Sequence, residues 1–255
     1  MIYPGLVSIT FRKLQPEEII RLVSKAGLHS IEWGGDIHVP HGNLKLAAEV
    51  GAMTREAGLA VASYGSYYLA GELEKNNCTY DEVLETAKVL GAPMVRIWAG
   101  DRGSGASDTA CWERVVTDVR KMAEASEKLN IGISFEYHSN TLTDSCESAV
   151  KLMKDISHKN AGCYWQPNIG QSEAGGIQEI SALKPWITNI HAFHCQGSEK
   201  RPLIEGFDIW SRYLGEIAKL PGDRNILLEF VKEDLPQQFL EDAETLKKLI
   251  RFVKI

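Results

Sequence analysis

One unit recurs along this chain of 255 residues. An amphipathic stretch ends at a Gly, Asn or Pro, a short apolar run follows, and a polar loop comes next. Such runs lie near Leu6–Ile9, Leu28–Trp33, Leu59–Tyr64, Met94–Trp98, Ile131–Glu136, Gly162–Trp165, Ile187–His191 and Ile226–Val231, mostly about 25 to 40 residues apart. Strands alternating with helices at this spacing read as βαβ units, which build a parallel sheet because each crossover needs a dozen residues or more. Eight units in ~250 residues predict an α/β protein with a single closed (β/α)8 TIM barrel, one domain over residues 1–255.

The helix starts carry their own signals. Pro16 precedes Glu17 and Glu18, which suits a first turn and its macrodipole. Thr79-Tyr80-Asp81-Glu82 and Asp234-Leu235-Pro236-Gln237 resemble capping boxes. From Trp112 to Leu129, apolar residues at Val115, Val116, Val119, Met122, Ala123 and Ala125 follow a 3.6 period. The Gly-rich run before it, Gly100 to Gly105, reads as a long, mobile loop. No G-x-G-x-x-G opens the first helix and no G-x-x-x-x-G-K-[ST] occurs, so the usual dinucleotide and P-loop signals are absent.

Bulk properties exclude several classes. A net charge of −6 with acids and bases interspersed argues against a nucleic-acid partner, which would favour a basic face. Five cysteines without a C-x-x-C fit neither a disulfide framework nor a structural zinc cluster, and point to a reducing compartment. The start, Met1 to Gly5, lacks a signal peptide's basic region. The longest uncharged stretch, Ala57 to Gly71, falls short of the ~20 residues a membrane helix needs. The expected setting is cytoplasmic, with no membrane partner; homo-oligomerisation is left open by the sequence.

In a barrel of this type the strand C-termini point to one face, and the active site sits there. Polar residues at those ends are Glu32, Asp36, His38 and His41 from the second strand, Tyr64 from the third, Arg96 and Trp98 from the fourth, and Glu136 and His138 from the fifth. The sixth gives Gln166, the seventh His191 and His194 with Arg201 in its loop, and the eighth Glu229. Five of the chain's seven His fall in this set. A carboxylate closing a buried strand is costly unless it meets a metal, a cation or a substrate. Glu136, Gln166, His191 and Glu229 come from four consecutive strands, and their donor types suit Mn, Mg, Co or Zn ions with open positions for a substrate. Three steps apart in a ring of eight, Glu136 and Glu229 should face each other across the mouth as an acid–base pair. The plain alternative is a buried acid paired with Arg96, a hydrogen-bonded core His191, and tryptophans (Trp33, Trp98, Trp165) that only plug the core.

The strand-end pattern resembles the xylose isomerase-like superfamily of sugar isomerases and epimerases. That group includes ketose 3-epimerases, hydroxypyruvate isomerase, inosose dehydratase and an endonuclease IV branch. Phe135-Glu136-Tyr137-His138 resembles the family's metal glutamate on the fifth strand, Asn189-Ile190-His191 its ligand on the seventh, and Leu228-Glu229-Phe230 its glutamate on the eighth. Gly27 to Glu32 is similar to the family's entry into the second strand, and Arg201 lies where epimerase members place a substrate-binding arginine. The resemblance implies that Glu136 and Glu229 are both metal ligands and the proton-transfer pair, on a small sugar or polyol substrate. His38, His41, Tyr64, Trp98, His138, His194 and Arg201 are the candidate substrate-binding residues. The family usually ends its sixth strand in Asp, whereas this chain has Trp165-Gln166-Pro167-Asn168. A neutral amide removes one negative charge and should weaken a divalent site.

The expected function is a divalent-metal-dependent sugar or ketose isomerase or epimerase working through an enediolate. Alternatives are dehydration of a cyclic polyol on the same barrel, and a non-catalytic sugar-binding barrel if Gln166 abolishes metal binding. An abasic-site endonuclease fits poorly with the acidic charge and the short ligand set.

Overall fold

A strand buried on both faces has to be apolar or fully hydrogen-bonded along its whole length. Ser30–Gly34 and Ala161–Trp165 meet that requirement, each being buried at every residue. The structure, a computed structural model, describes residues 1–253; the last two residues of the expected 1–255 span lie outside the described residues. Its strands are β1 (Ile2–Val7), β2 (Ser30–Gly34), β3 (Ala60–Leu69), β4 (Met94–Trp98), β5 (Gly132–Phe135), β6 (Ala161–Trp165), β7 (Ile187–Ala192), β8 (His194–Gln196), β9 (Glu199–Arg201) and β10 (Arg224–Leu228). Eight close a barrel in the order β1-β2-β3-β4-β5-β6-β7-β10, with every neighbouring pair parallel. The other two, β8 and β9, form a small antiparallel hairpin on the loop after β7.

The helices are α1 (Pro16–Ala26), α2 (Leu44–Glu56), α3 (Tyr80–Leu90), α4 (Thr109–Glu127), α5 (Cys146–Ile156), α6 (Glu173–Leu183), α7 (Phe207–Ile217) and α8 (Pro236–Val253). Pro16 opens α1, with Gln15 and Glu18 capping it reciprocally, and Gly27 ends it at φ 63, a conformation glycine adopts without steric cost. Its apolar stripe of Ile19, Ile20, Val23 and Ala26 is buried. The Thr79–Glu82 capping box forms as the sequence predicts. Helix α4 starts earlier than expected because Asp108 Oδ1 accepts from Cys111 N at 2.7 Å; Val115 to Ala123 pack inward as read, while Ala125 is only partly buried.

Other expectations shift. The first strand is Ile2–Val7, and Ser8–Phe11 turns into a single 3-10 turn that passes over the barrel. The third strand runs on past Tyr64 to Leu69 through a bulge between Gly65 and Tyr68, where Tyr67 takes φ 57. Asp234 caps nothing: it sits at φ 52 and its Oδ1 accepts from Lys200 Nζ at 2.7 Å, so α8 begins at Pro236 without it. The Gly100–Gly105 run is a loop that leads into a 3-10 turn at Ser104–Ala106, tied down where Ser104 N donates to Asp144 Oδ2 at 2.9 Å. Among the described residues no helix is long and apolar enough to cross a membrane.

The barrel's N-terminal end is closed by polar side chains that satisfy one another. Ser30 Oγ donates to Asn225 Oδ1 at 2.8 Å, Asn225 N to Asn189 Oδ1 at 2.9 Å, and Asn189 Nδ2 to Tyr164 Oη at 3.0 Å. The C-terminal end is left to the loops. There α8 is docked by Asp242, which is 3% exposed and accepts from Leu203 N at 2.8 Å and Gln238 Nε2 at 3.0 Å.

Burial pushes the Asp242 carboxyl up to about 6, against the two hydrogen bonds that favour its charge. An unfolded Asp titrates near ~3.9, so the native chain binds this proton more tightly. The group's contribution is therefore complete below about pH 4 and is lost as pH rises through about 6. Asp242→Asn keeps the acceptor and cannot ionise. Its melting temperature relative to wild type should improve between pH 5 and pH 8; a flat difference across that range would contradict this account.

Candidate functional site

Glu136, Gln166 and Glu229 each follow directly on the last residue of β5, β6 and β10, and His191 lies in β7. Backbone bonds carry the parallel ladder one step past the strands: Glu136 N donates to Ile97 O and Glu229 N to Ala192 O, both at 3.0 Å. The side chains then converge, so Glu136 and Glu229 face each other closely enough to share one ion. One oxygen of Glu136, one nitrogen of His191 and one oxygen of Glu229 lie within 4.8 Å of one another, and all three residues are buried. His191 Nδ1 is 2.9 Å from Gln166 Oε1, 3.4 Å from Glu229 Oε2 and 3.8 Å from Glu136 Oε1. Glu229 Oε2 and His191 Nε2 are buried with no hydrogen-bond partner.

Arg96, 1% exposed, crosses beneath this group. Its Nε donates to Glu32 Oε1 at 2.7 Å, and its Nη1 pairs with Glu136 Oε2, which also accepts from Trp98 Nε1 at 2.6 Å. Glu32 takes a further bond from Ser63 Oγ at 2.6 Å. A glycine makes the room: a Cβ on Gly65 would lie 2.7 Å from Arg96 Nη2 and 3.0 Å from Glu32 Oε1. The plain reading of a buried acid paired with Arg96 is thus realised for Glu136, and it coexists with the ligand-like cluster.

The charges decide what the cluster can hold. Glu32, Glu136 and Glu229 set three carboxylates against one guanidinium, leaving two negative charges uncompensated when His191 is neutral. A buried surplus of that size calls for a cation. A divalent ion fits it in charge, in donor type and in the unpartnered Glu229 oxygen. Without such an ion the imidazole takes up part of the load. Burial works against a charged His191, yet Glu229 and Glu32 beside the ring push it up to about 10. For Glu32 burial also opposes charge, but Arg96 and His191 hold its carboxyl well below the usual range. Replacing Gln166 by Asp should tighten Mn²⁺ binding by about tenfold or more by adding an anionic donor. Calorimetry on Gln166→Asp beside wild type checks this, and unchanged affinity would place residue 166 outside the coordination shell.

Above the cluster opens a cavity of about 630 Å³. Glu136, Glu229, Trp98 and His138 line it, together with Tyr67 and Phe230. Trp98 stacks on His138 at 4.8 Å between ring centroids, and His138 Nδ1 is engaged by Ser139 O at 2.7 Å. The other expected substrate contacts lie elsewhere. Tyr64 is fully buried; its hydroxyl is 2.7 Å from both Val39 O and His41 Nδ1, while His41 Nε2 is 3.0 Å from Ser66 O. This pair ties the loop after β2 to β3. His38 Nδ1 meets Ser8 Oγ at 2.9 Å, and its ring packs edge-on to Trp33. His194 sits on the β8–β9 hairpin against Gly206. Arg201 is held by Glu205 at 2.8 Å and Glu199 at 3.1 Å and does not reach the cavity wall, whereas its neighbour Lys200 does.

Residues not singled out from sequence complete the wall: Thr10, Arg12 and Lys13 from the turn after β1, and Tyr67 and Phe230. Extending the strand-end survey to the first strand would have reached the Arg12-Lys13 pair. Tyr67 was hidden by the bulge that prolongs β3.

The same barrel recurs in solved structures. A probable 3-DHS dehydratase from Bacillus anthracis superposes with a TM-score of 0.79 at 20% identity, covering 97% of this chain and 99% of that one. D-psicose 3-epimerase from Clostridium cellulolyticum H10 gives 0.73 at 14% identity, covering 98% and 99%. A magnesium complex of a xylose isomerase-like TIM barrel protein from Mycobacterium smegmatis gives 0.69 at 17% identity, covering 98% of each chain. In sequence, a 3-dehydroshikimate dehydratase from Bacillus anthracis is 25% identical over 152 residues, which span 59% of this chain and 54% of the relative. Residues 20–254 match the family model described as xylose isomerase-like TIM barrel, and the chain belongs to that family.

Proposed function

We propose that this chain is a divalent-metal-assisted enzyme that removes the proton beside a carbonyl of a small sugar or polyol, with Glu229 as the base. The observation that carries this reading is the Glu229 carboxylate: it accepts no hydrogen bond, its buried Oε2 is available to the ion, and the residue lines the cavity, which leaves its second oxygen free to take a proton. A carboxylate oxygen that accepts no hydrogen bond can take a proton without giving up a partner. Glu136, Gln166, His191 and Glu229 would hold the ion, whose role when bound is to draw charge from the substrate carbonyl and so acidify the adjacent C–H.

The chain's own groups divide the remaining work. Trp98, Tyr67 and Phe230 offer apolar faces to the C–H side of a polyol and keep water from the base. Arg96 and Trp98 both donate to Glu136 Oε2. In an isomerase or epimerase Glu229 keeps the proton it removes, and Glu136 has to enter the cycle as the carboxylic acid and deliver its own proton on the other side of the enediolate. The two donors on Glu136 also favour a second reading, dehydration, because a carboxylate so committed is a poor proton carrier and elimination needs only one base at carbon. In that reading His138, as its imidazolium, would protonate the departing hydroxyl through Nε2, since Nδ1 is engaged by Ser139 O and the ring lines the cavity.

Incubation with Mn²⁺ in D₂O over a panel of ketoses and cyclic polyol ketones tests both. Deuterium beside the carbonyl with unchanged composition supports isomerisation or epimerisation, and a product lighter by one water supports dehydration. A panel with neither outcome would count against any proton-abstracting enzyme. Sugar binding without divalent-cation binding would then assign a non-catalytic barrel.

A further inference from the structure

The cavity walls differ in chemistry. At strand-end level stand the two carboxylates; over them the loop after β1 and the β8–β9 hairpin contribute Arg12, Lys13 and Lys200. A neutral polyol is usually bound through hydroxyl partners such as amides and carboxylates, and does not call for three cations around one opening.

Two of these cations are loosely committed and one is uncommitted. Arg12 pairs with Asp36 at 2.6 Å and Lys200 with Asp234 at 2.7 Å, in each case with partners about a third or more exposed. Ion pairs so wetted exchange partners readily. Lys13 makes no ion pair with any described residue. Glu233 and Asp234 also line the cavity, so once the ion satisfies Glu136 and Glu229 the walls hold three bases against two acids.

A buried donor points to the same ligand. Thr10 is 4% exposed, lines the cavity, and its Oγ1 is buried without a hydrogen-bond partner. Orphaned hydroxyls of that kind are uncommon unless a ligand or water completes them. Thr10 lies two and three residues before Arg12 and Lys13, on the single turn that passes over the barrel.

We infer that the cavity takes an anionic substrate, whose carboxylate or phosphate group is bound by Lys13, Lys200 and Thr10 while its carbonyl end meets Glu229. This rests on the proposed function, since it assumes that the substrate's other end lies at the Glu229 cluster. It narrows the substrate class to sugar acids, acidic cyclic ketones or ketose phosphates.

Binding to the full chain, measured without turnover, tests the inference apart from the chemistry. The probes are D-fructose, D-fructose 6-phosphate and 5-keto-D-gluconate, titrated into Mn²⁺-loaded protein by calorimetry at low and high salt, with Lys13→Met/Lys200→Met as the comparison. Lys13 is exposed and Lys200 is half-buried, and neither belongs to the packed core, so the double variant should fold normally. At least one anionic ketose should bind about tenfold or more tightly than D-fructose, and lose that advantage both in the double variant and at high salt. The anion that gains identifies the group as phosphate or carboxylate. Equal affinity for all three probes, no binding of either anion at millimolar concentration, or an anion preference that survives the double variant would overturn the inference. Deuterium exchange by the wild-type protein toward a neutral ketose reports on Glu229 chemistry independently, so the two readings can fail separately.

Discussion

Glu229→Gln should reduce proton exchange beside the substrate carbonyl by roughly 10²–10⁴-fold, the range general-base catalysis supplies, while the protein remains folded. The amide keeps the shape of the carboxyl and loses its basicity. Glu229 Oε2 accepts no hydrogen bond, so the loss of stability is limited to its charge interaction with His191 Nδ1 at 3.4 Å and should be smaller than for Glu136. Glu136→Gln makes the contrast. Its carboxylate accepts from Arg96 and Trp98, so the amide costs both turnover and melting temperature. The check is deuterium exchange with Mn²⁺ present, alongside thermal melts of both variants. Near-wild-type exchange in Glu229→Gln would remove it as the base, and equal melting losses in the two variants would contradict the unequal roles drawn here.

The barrel was legible because its signal is local and repeated. Met94–Trp98 falls where the sequence places it, as do the capped starts at Pro16 and Thr79. The strand-end cluster was legible for a geometric reason: parallel strands in one barrel deliver their C-termini to one face, so Glu136, Gln166, His191 and Glu229 meet wherever the helices go. What sequence could not supply is the choice between partners at equal reach. Arg96 lies close enough to several acids to serve any of them, and only packing assigns it to Glu32 and Glu136, with Gly65 clearing the space. The placement of loop residues was not legible for a similar reason. His41 and Tyr64 spend their polar atoms on each other and on backbone carbonyls, while of the neighbours Lys200 and Arg201 only Lys200 lines the cavity. Whether a loop side chain turns inward or outward depends on tertiary contacts that leave no periodic trace.

Arg96→Met should be the most destabilising single change at this site. It strands Glu32 and Glu136, buried at 0% and 4% exposure, without their shared counter-charge. Breaking a buried ion pair on one side costs about 3–5 kcal/mol. In a chain of this size each kcal/mol shifts the melting point by about 2–4 °C, so a fall of roughly 10 °C is expected. Arg96→Lys should recover only part of it: one ammonium cannot reproduce the Nε and Nη1 contacts that reach two carboxylates at once. The pairing also predicts non-additivity. Glu32→Gln in the Arg96→Met background should be less harmful than in wild type, since the charge it removes is by then uncompensated, and a coupling of about 0.5–3 kcal/mol is the usual size for residues in one network. Divalent cation should narrow the gap, because an ion bound at Glu136 replaces part of the lost positive charge. Melting Arg96→Met with and without Mn²⁺ reads both effects. A variant that melts within about 2 °C of wild type would show that Arg96 does not hold Glu136 in place, and the assignment of Glu229 as the freer of the two carboxylates would lose its physical basis.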